Sequence, residues 1–233
     1  MRTPGNDDEL AVGFLLTEGL IKRRSDILKI VPHPRSKSGN VINIFLSPDV
    51  CVDFQQLTRH VFASSSCGLC GKATIASVHQ HFPKISSKVL VEAKTILTLP
   101  GQLRDAQIAF ALTGGLHAAA VFDLSGKMIV LREDVGRHNA VDKVLGHGFL
   151  KGFFPLDQQI LLVSGRASFE ILQKSLAARV PIICAVSAPS SLAVEFARAS
   201  GQTLIGFLRD ERMNIYSHPE RIGFADQLKS KKR

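Results

Sequence analysis

Cys67 and Cys70 are the pair of residues in this chain best placed to do chemistry. They stand in Ser64-Ser65-Ser66-Cys67-Gly68-Leu69-Cys70-Gly71-Lys72, a stretch of small residues. Two intervening residues let both sulfurs meet one reactant. The flanking glycines let the backbone turn tightly and leave the thiols open. Ala73-Thr74-Ile75-Ala76-Ser77-Val78 follows and can begin a helix. A thiol at a helix N-terminus beside a cation is favoured as thiolate, and Lys72 supplies the cation. Such a loop suits sulfur exchange. For structural zinc it offers half of a four-ligand set, which His79, His81 or Cys51 could complete. Thioredoxin-like chemistry requires the pair just after a strand in a βαβ unit, and no clear strand precedes it. A zinc deaminase requires H-x-E followed by P-C-x-x-C. Here Ser66 occupies the proline position and no H-x-E lies upstream.

A second set of residues suits anion binding. Thr113-Gly114-Gly115-Leu116-His117 precedes an expected strand. Glu133-Asp134-Val135-Gly136-Arg137-His138-Asn139 and Ser164-Gly165-Arg166-Ala167-Ser168 each fall between a strand and a helix. Phe207-Leu208-Arg209-Asp210-Glu211-Arg212 ends the last strand–helix repeat. Ligands of open α/β sheets collect at the carboxyl ends of strands. Glycine there lets backbone amides approach an anion, and Arg137, Arg166, Arg209 and Arg212 offer forked contacts to phosphate. His138 is a candidate acid or base, or a helix cap, and Asp142 with Lys143 reads as a surface pair. Neither G-x-x-x-x-G-K-[ST] nor a convincing G-x-G-x-x-G occurs, so the usual nucleotide fingerprints do not apply.

The elements that must position these groups change character along the chain. Asn6 and Glu9 have capping-box spacing, and Leu10, Ala11, Phe14 and Leu15 form an apolar helix face ending near Gly19. Ile27–Val31, Val41–Leu46 and Val50–Phe54 read as strands, and Gln55–Val61 as a polar helix leading to the cysteines. Lys84–Leu99 has linker character, with a boundary at Pro100-Gly101. Then come a helix at Leu103–Leu112, strands at His117–Phe122 and Met128–Arg132, and a helix at Arg137–Leu145. Strand, helix, strand, helix and strand follow at Ile160–Val163, Ser168–Ala178, Ile182–Val186, Ser191–Ala199 and Thr203–Phe207. That alternation predicts an α/β layer with parallel pairing in its second half. The chain divides into a smaller α+β part, residues 1–83, and an α/β part, residues 84–233, with a basic tail at 229–233.

The 233 residues are 45% hydrophobic and 21% charged, enough for a proper core. The net charge is +9, and four basic groups stand among the last five residues; the body stays basic without them, which suits an anionic partner. No apolar run approaches the roughly 20 residues of a membrane span, and no signal-peptide pattern opens the chain. Cys51 and Cys184 lie in apolar runs and read as small buried hydrophobes, which favours a reducing cytoplasm.

Six segments, taken in order, resemble the formate dehydrogenase accessory sulfurtransferases (FdhD). They are Ser-Cys-Gly-Leu-Cys-Gly at 66–71, Thr-Gly-Gly-Leu-His-Ala-Ala at 113–119 and Glu-Asp-Val-Gly-Arg-His-Asn-Ala-Val-Asp-Lys at 133–143. Ser-Gly-Arg-Ala-Ser-Phe-Glu at 164–170, Val-Ser-Ala-Pro-Ser-Ser at 186–191 and Ile-Gly-Phe-Leu-Arg at 205–209 complete the set. Family members usually carry a further extended segment ahead of the equivalent of Thr3-Pro4. The resemblance implies a cytidine-deaminase-like mixed-sheet α/β domain with a smaller α+β N-terminal domain, without the deaminase zinc. It implies a cytoplasmic homodimer that accepts sulfane sulfur from a cysteine desulfurase. The sulfur passes to the bis-molybdopterin guanine dinucleotide molybdenum cofactor, bound as substrate, on its way to formate dehydrogenase. Cys67 matches the persulfide-bearing cysteine and Cys70 its partner; Phe207, Leu208, Arg209, Asp210, Glu211 and Arg212 match a cofactor-binding segment. Gly115, His117, Arg137, His138, Gly165 and Arg166 are the further binding candidates, with no resident metal, no membrane contact and no nucleic acid beyond guanine nucleotide moieties. A cofactor-holding chaperone that moves no sulfur and a thiol–disulfide oxidoreductase are the alternatives.

Overall fold

The computed structural model describes residues 1–34, 39–52 and 82–224. The cysteine loop, Lys72, His79, His81, the Gln55–Val61 helix, the helix start at Ala73 and the basic tail lie outside the described residues. The first elements are helix α1 (Asp7–Thr17) and an antiparallel pair, β1 (Ile27–Pro32) with β2 (Ile42–Leu46). Next come β3 (Val91–Glu92), α2 (Ala93–Ala106), α3 (Ile108–Thr113), β4 (His117–Asp123), β5 (Met128–Asp134) and α4 (Arg137–Leu150). The chain continues through β6 (Gln159–Val163), α5 (Phe169–Ala177), β7 (Ile182–Ala185), α6 (Ser191–Ser200), β8 (Thr203–Arg209), β9 (Arg212–Ser217) and β10 (Ile222–Gly223).

Six strands form one sheet in the order β5-β4-β6-β7-β8-β9. The β6–β7 and β7–β8 pairs are parallel, as the strand–helix alternation predicts. The other three pairs are antiparallel, so the sheet is mixed. Alternate residues of each central strand enter opposite cores. Leu161, Val163, Ile183 and Ala185 meet Val141, Ile171 and Phe196 of α4, α5 and α6. Ile160, Leu162, Ile182 and Cys184 meet Ile96, Leu99 and Leu103 of α2 on the other face. Burial on both faces explains why these strands read as continuous apolar runs.

Several sequence expectations are corrected. Residues 93–106 are helical, with Pro100 and Gly101 inside α2 rather than at a boundary. The apolar stripe Ile96, Leu99, Leu103 at helical spacing holds α2 on the sheet despite the proline. Val50–Val52 form no strand, and Cys51 is exposed, whereas Cys184 is buried as expected. Asn6 precedes α1 in a left-handed conformation without a side-chain cap. Glu9 does not complete a capping box; it pairs with Arg132 at 2.6 Å and His147 at 2.8 Å. The buried stripe of α1 is Glu9, Val12, Gly13 and Leu16, turned from the face expected, because glycines let α1 and α4 meet backbone to backbone. A Cβ on Gly13 would overlap the Asp142 carbonyl, and one on Gly146 the Glu9 carbonyl.

Candidate functional site

The strand-end segments converge because β4 runs antiparallel to β6, which sets His117, the first residue of β4, beside the carboxyl end of β6. The Ser164 amide donates to the Ala118 carbonyl and the Ala118 amide to Ser164 Oγ, each at 2.9 Å. Gly165 follows, where a Cβ would stand 3.3 Å from His117 Nδ1 and 4.0 Å from Arg137 Cδ. The absent side chain lets the loop lie against both. His117 also pairs across the sheet with Asp134, which brings the first turn of α4, Arg137 and His138, to the same end.

A cleft of about 560 Å³ opens there. Its walls are Leu103 and Arg104 of α2, Gln107 just after it, Gly114 and Gly115 of the α3–β4 connection, His117 of β4, Ser164, and Leu208, Arg209 and Asp210. Glu133 fixes one wall: its two carboxylate oxygens accept the Ala109 and Phe110 amides at 2.9 and 2.7 Å, capping α3 from a neighbouring strand. A hollow of about 680 Å³ elsewhere, among Arg2, Leu10, Phe14, Asn40 and Asp142, takes in only Asn139 of the strand-end segments.

The electrostatics are those of a positive, partly dry site. His117 is held below the usual imidazole range, first by burial and then by Arg137 and Arg166. Burial, reinforced by Arg137, pushes His138 down to about 4, so the ring is neutral near pH 7. Its Nε2 lies 3.2 Å from Ser168 Oγ and 4.0 Å from Glu170. Arg137 Nε is buried without a hydrogen-bond partner among the described residues. Neutral imidazoles beside guanidinium groups can exchange protons with a ligand while the arginines hold negative charge.

Of the residues singled out from sequence, Gly115, His117, Leu208, Arg209 and Asp210 line the cleft. Gly165, Arg137, Arg166 and His138 gather around His117, Arg166 being exposed. The segment at 207–212 is the end of β8, a two-residue turn at Asp210 and Glu211, and the start of β9, not the close of a repeat. Phe207 is exposed at a bulge with φ of 50°, and Leu208 is buried. Glu211 and Arg212 are exposed and lie off the cleft lining. Cys67 and Cys70 lie outside the described residues. Sequence reasoning missed Arg104 and Gln107: both fall within the helix expected at Leu103–Leu112, but they belong to no motif and nothing in their spacing set that helix against the strand ends.

The 133–143 segment does two jobs where one was expected. Asp142 and Lys143 form no surface pair: both are buried with different partners. Lys143 binds Asp134 at 2.8 Å and the Thr3 carbonyl at 2.9 Å, and Thr3 N donates to Asp134 at 3.0 Å. Asp142 accepts from Lys174 and Thr17 on neighbouring helices. The acids and Lys143 thus anchor residues 3–17, while Arg137 and His138 face the strand ends.

Among the described residues no helix is long and apolar enough to cross a membrane, and no group of three or more His, Cys, Asp or Glu is placed to hold a metal ion. Comparison with known proteins matches residues 1–223 to the FdhD/NarQ family. A protein of Mycobacterium tuberculosis named sulfur carrier protein FdhD is 49% identical over 95% of this chain and 84% of its own length. Proteins of the same name from Streptomyces avermitilis and Saccharolobus solfataricus are 46% and 43% identical, each over 95% of this chain and 82% of its own length. The crystal structure of a candidate formate dehydrogenase accessory protein from Desulfotalea psychrophila superimposes with a TM-score of 0.74 at 26% identity, covering 96% of this chain and 82% of that one. With the mixed α/β fold, the strand-end residues and the whole-length match agreeing, this chain belongs to the FdhD/NarQ family.

Proposed function

We propose that this protein is a sulfurtransferase that carries sulfane sulfur on Cys67 from a cysteine desulfurase to the bis-molybdopterin guanine dinucleotide molybdenum cofactor destined for formate dehydrogenase. The observation that carries the reading is similarity along 95% of the chain to proteins named sulfur carriers. In loading, the Cys67 thiolate attacks the outer sulfur of a persulfide on the donor enzyme. That S–S bond breaks and the donor's thiolate leaves. In release, Cys70 attacks Cys67 Sγ, and the outer sulfur departs as hydrosulfide with the bonding electrons. The resulting Cys67–Cys70 disulfide is then reduced by a dithiol. A relay is the alternative, in which Cys70 takes the outer sulfur itself and no disulfide forms.

The cofactor enters this scheme as substrate. The cleft is of ordinary small-ligand size and would receive one nucleotide arm of it, with phosphates on Arg104 and Arg209 and a base against Gly114 and Gly115. Arg137 and Arg166 would hold further negative charge beside His117 and His138. We also read the sheet as cytidine-deaminase-like, residues 1–83 as a smaller part, the protein as a cytoplasmic homodimer, and its contacts as excluding membrane and nucleic acid.

Mass spectrometry after incubation with a desulfurase and L-cysteine tests the reading. One added sulfur on Cys67, absent from Cys67→Ala, is expected. A Cys67→Ala protein that still binds the cofactor and activates the dehydrogenase would establish a chaperone instead. Turnover of a generic disulfide requiring both cysteines would establish an oxidoreductase.

A further inference from the structure

We propose that Arg104 is a ligand-binding residue of the cleft, held in reserve by Asp210 until an incoming phosphate displaces the carboxylate. The inference rests on the reading of the cleft as an anion site and deepens it by naming the exchange through which Arg104 takes up its ligand. Arg104 stands in the last turn of α2, and Asp210 in the β8–β9 turn, so the two face each other across the cleft lining. Arg104 Nη2 is 3.5 and 3.4 Å from the two Asp210 oxygens, a loose contact for a guanidinium and a carboxylate. The side chains are 68% and 62% exposed, so water screens the pair and it parts at little cost.

A second observation concerns the positive charge gathered around Asp210. Arg209 and Arg212, both exposed, pair directly across the hairpin on either side of Asp210 and Glu211. Like charges in opposed cross-strand positions are unfavourable unless an anion lies near them. Farther in, His117 is suppressed first by burial and then by Arg137 and Arg166, and Arg137 Nε has no partner among the described residues. Asp210 therefore stands in for the ligand at the cleft mouth. A diphosphate takes its place with more charge and more acceptor oxygens, and Arg104 turns from one carboxylate to a forked contact with it.

Isothermal titration of the full chain with inorganic pyrophosphate at fixed ionic strength tests this. Arg104→Ala is expected to weaken binding about tenfold, and Arg104→Lys to recover part of that loss. Asp210→Asn is expected to tighten binding about threefold or more, and to do so far less in an Arg104→Ala background. Unchanged affinity in Arg104→Ala overturns the proposal, as does weaker binding in Asp210→Asn. So does the absence of pyrophosphate binding by the unaltered protein. All variants lie on the surface, and thermal unfolding checks that they fold. Loading of Cys67 is measured separately on the unaltered protein, so failure of the sulfur-carrier reading is told apart from failure of the exchange.

Discussion

The neutrality of His138 is a statement about stability as well as about the site. Its folded pKa of about 4 lies below the ordinary 6.5, so the unfolded chain binds the proton more readily. The sign follows: this group's contribution is complete above about 6.5 and is lost as pH falls towards 4. Chemical denaturation between pH 7 and pH 4.5 is therefore expected to show falling stability, with a smaller slope in His138→Gln. An equal slope in the variant would remove His138 as the cause. Glu9, Asp134 and Glu170 are lowered carboxylates, so their losses come at more acidic pH than that window. Sequence showed that something charged mattered at 133–143 but not which residue did what. Asp142 and Lys143 are neighbours in the chain, yet adjacent helical positions point about 100° apart, towards different partners.

Helix α1 and helix α4 meet through glycines, and glycines in helices have two opposed effects. Replacing Gly146 by alanine gains up to about 1 kcal/mol of helix propensity. The new methyl would overlap the Glu9 carbonyl, which is backbone and cannot swing aside. Overpacking of that kind costs about 1–3 kcal/mol or more, so the overlap wins. Gly146→Ala is expected to lower the melting temperature, while Gly101→Ala, inside α2 with nothing near its Cβ, raises it. Calorimetry on both decides the matter; a rise for both would mean that α1 is not closely seated. The strands of the large sheet were legible because their apolar runs were short and bounded by turns. Helix α2 was not, since Pro100 and Gly101 outweighed the Ile96, Leu99 and Leu103 stripe on local propensity. Strand β9 escaped because Arg212–Ser217 is a partly exposed edge strand without a continuous apolar run.

At the scale of the molecule, the site is the product of topology rather than of any one motif. Segments as distant in sequence as Gly115, Gly165 and Arg209 share one end of the sheet because the central strands are parallel and their neighbours reverse. The strand-end rule made that convergence legible, while the loose Arg104–Asp210 contact needed three dimensions. Cys184 occupies the middle of this arrangement, on β7 between Leu162 and Ile205, fully buried, with its thiol pushed far up by desolvation. Brief alkylation of the native protein is expected to leave it unmarked, and label at Cys184 would appear only as denaturant opens the sheet. The residue is thus a built-in clock for global opening, readable by peptide mapping without adding a probe. Substantial labelling under native conditions would mean that the centre of the sheet breathes.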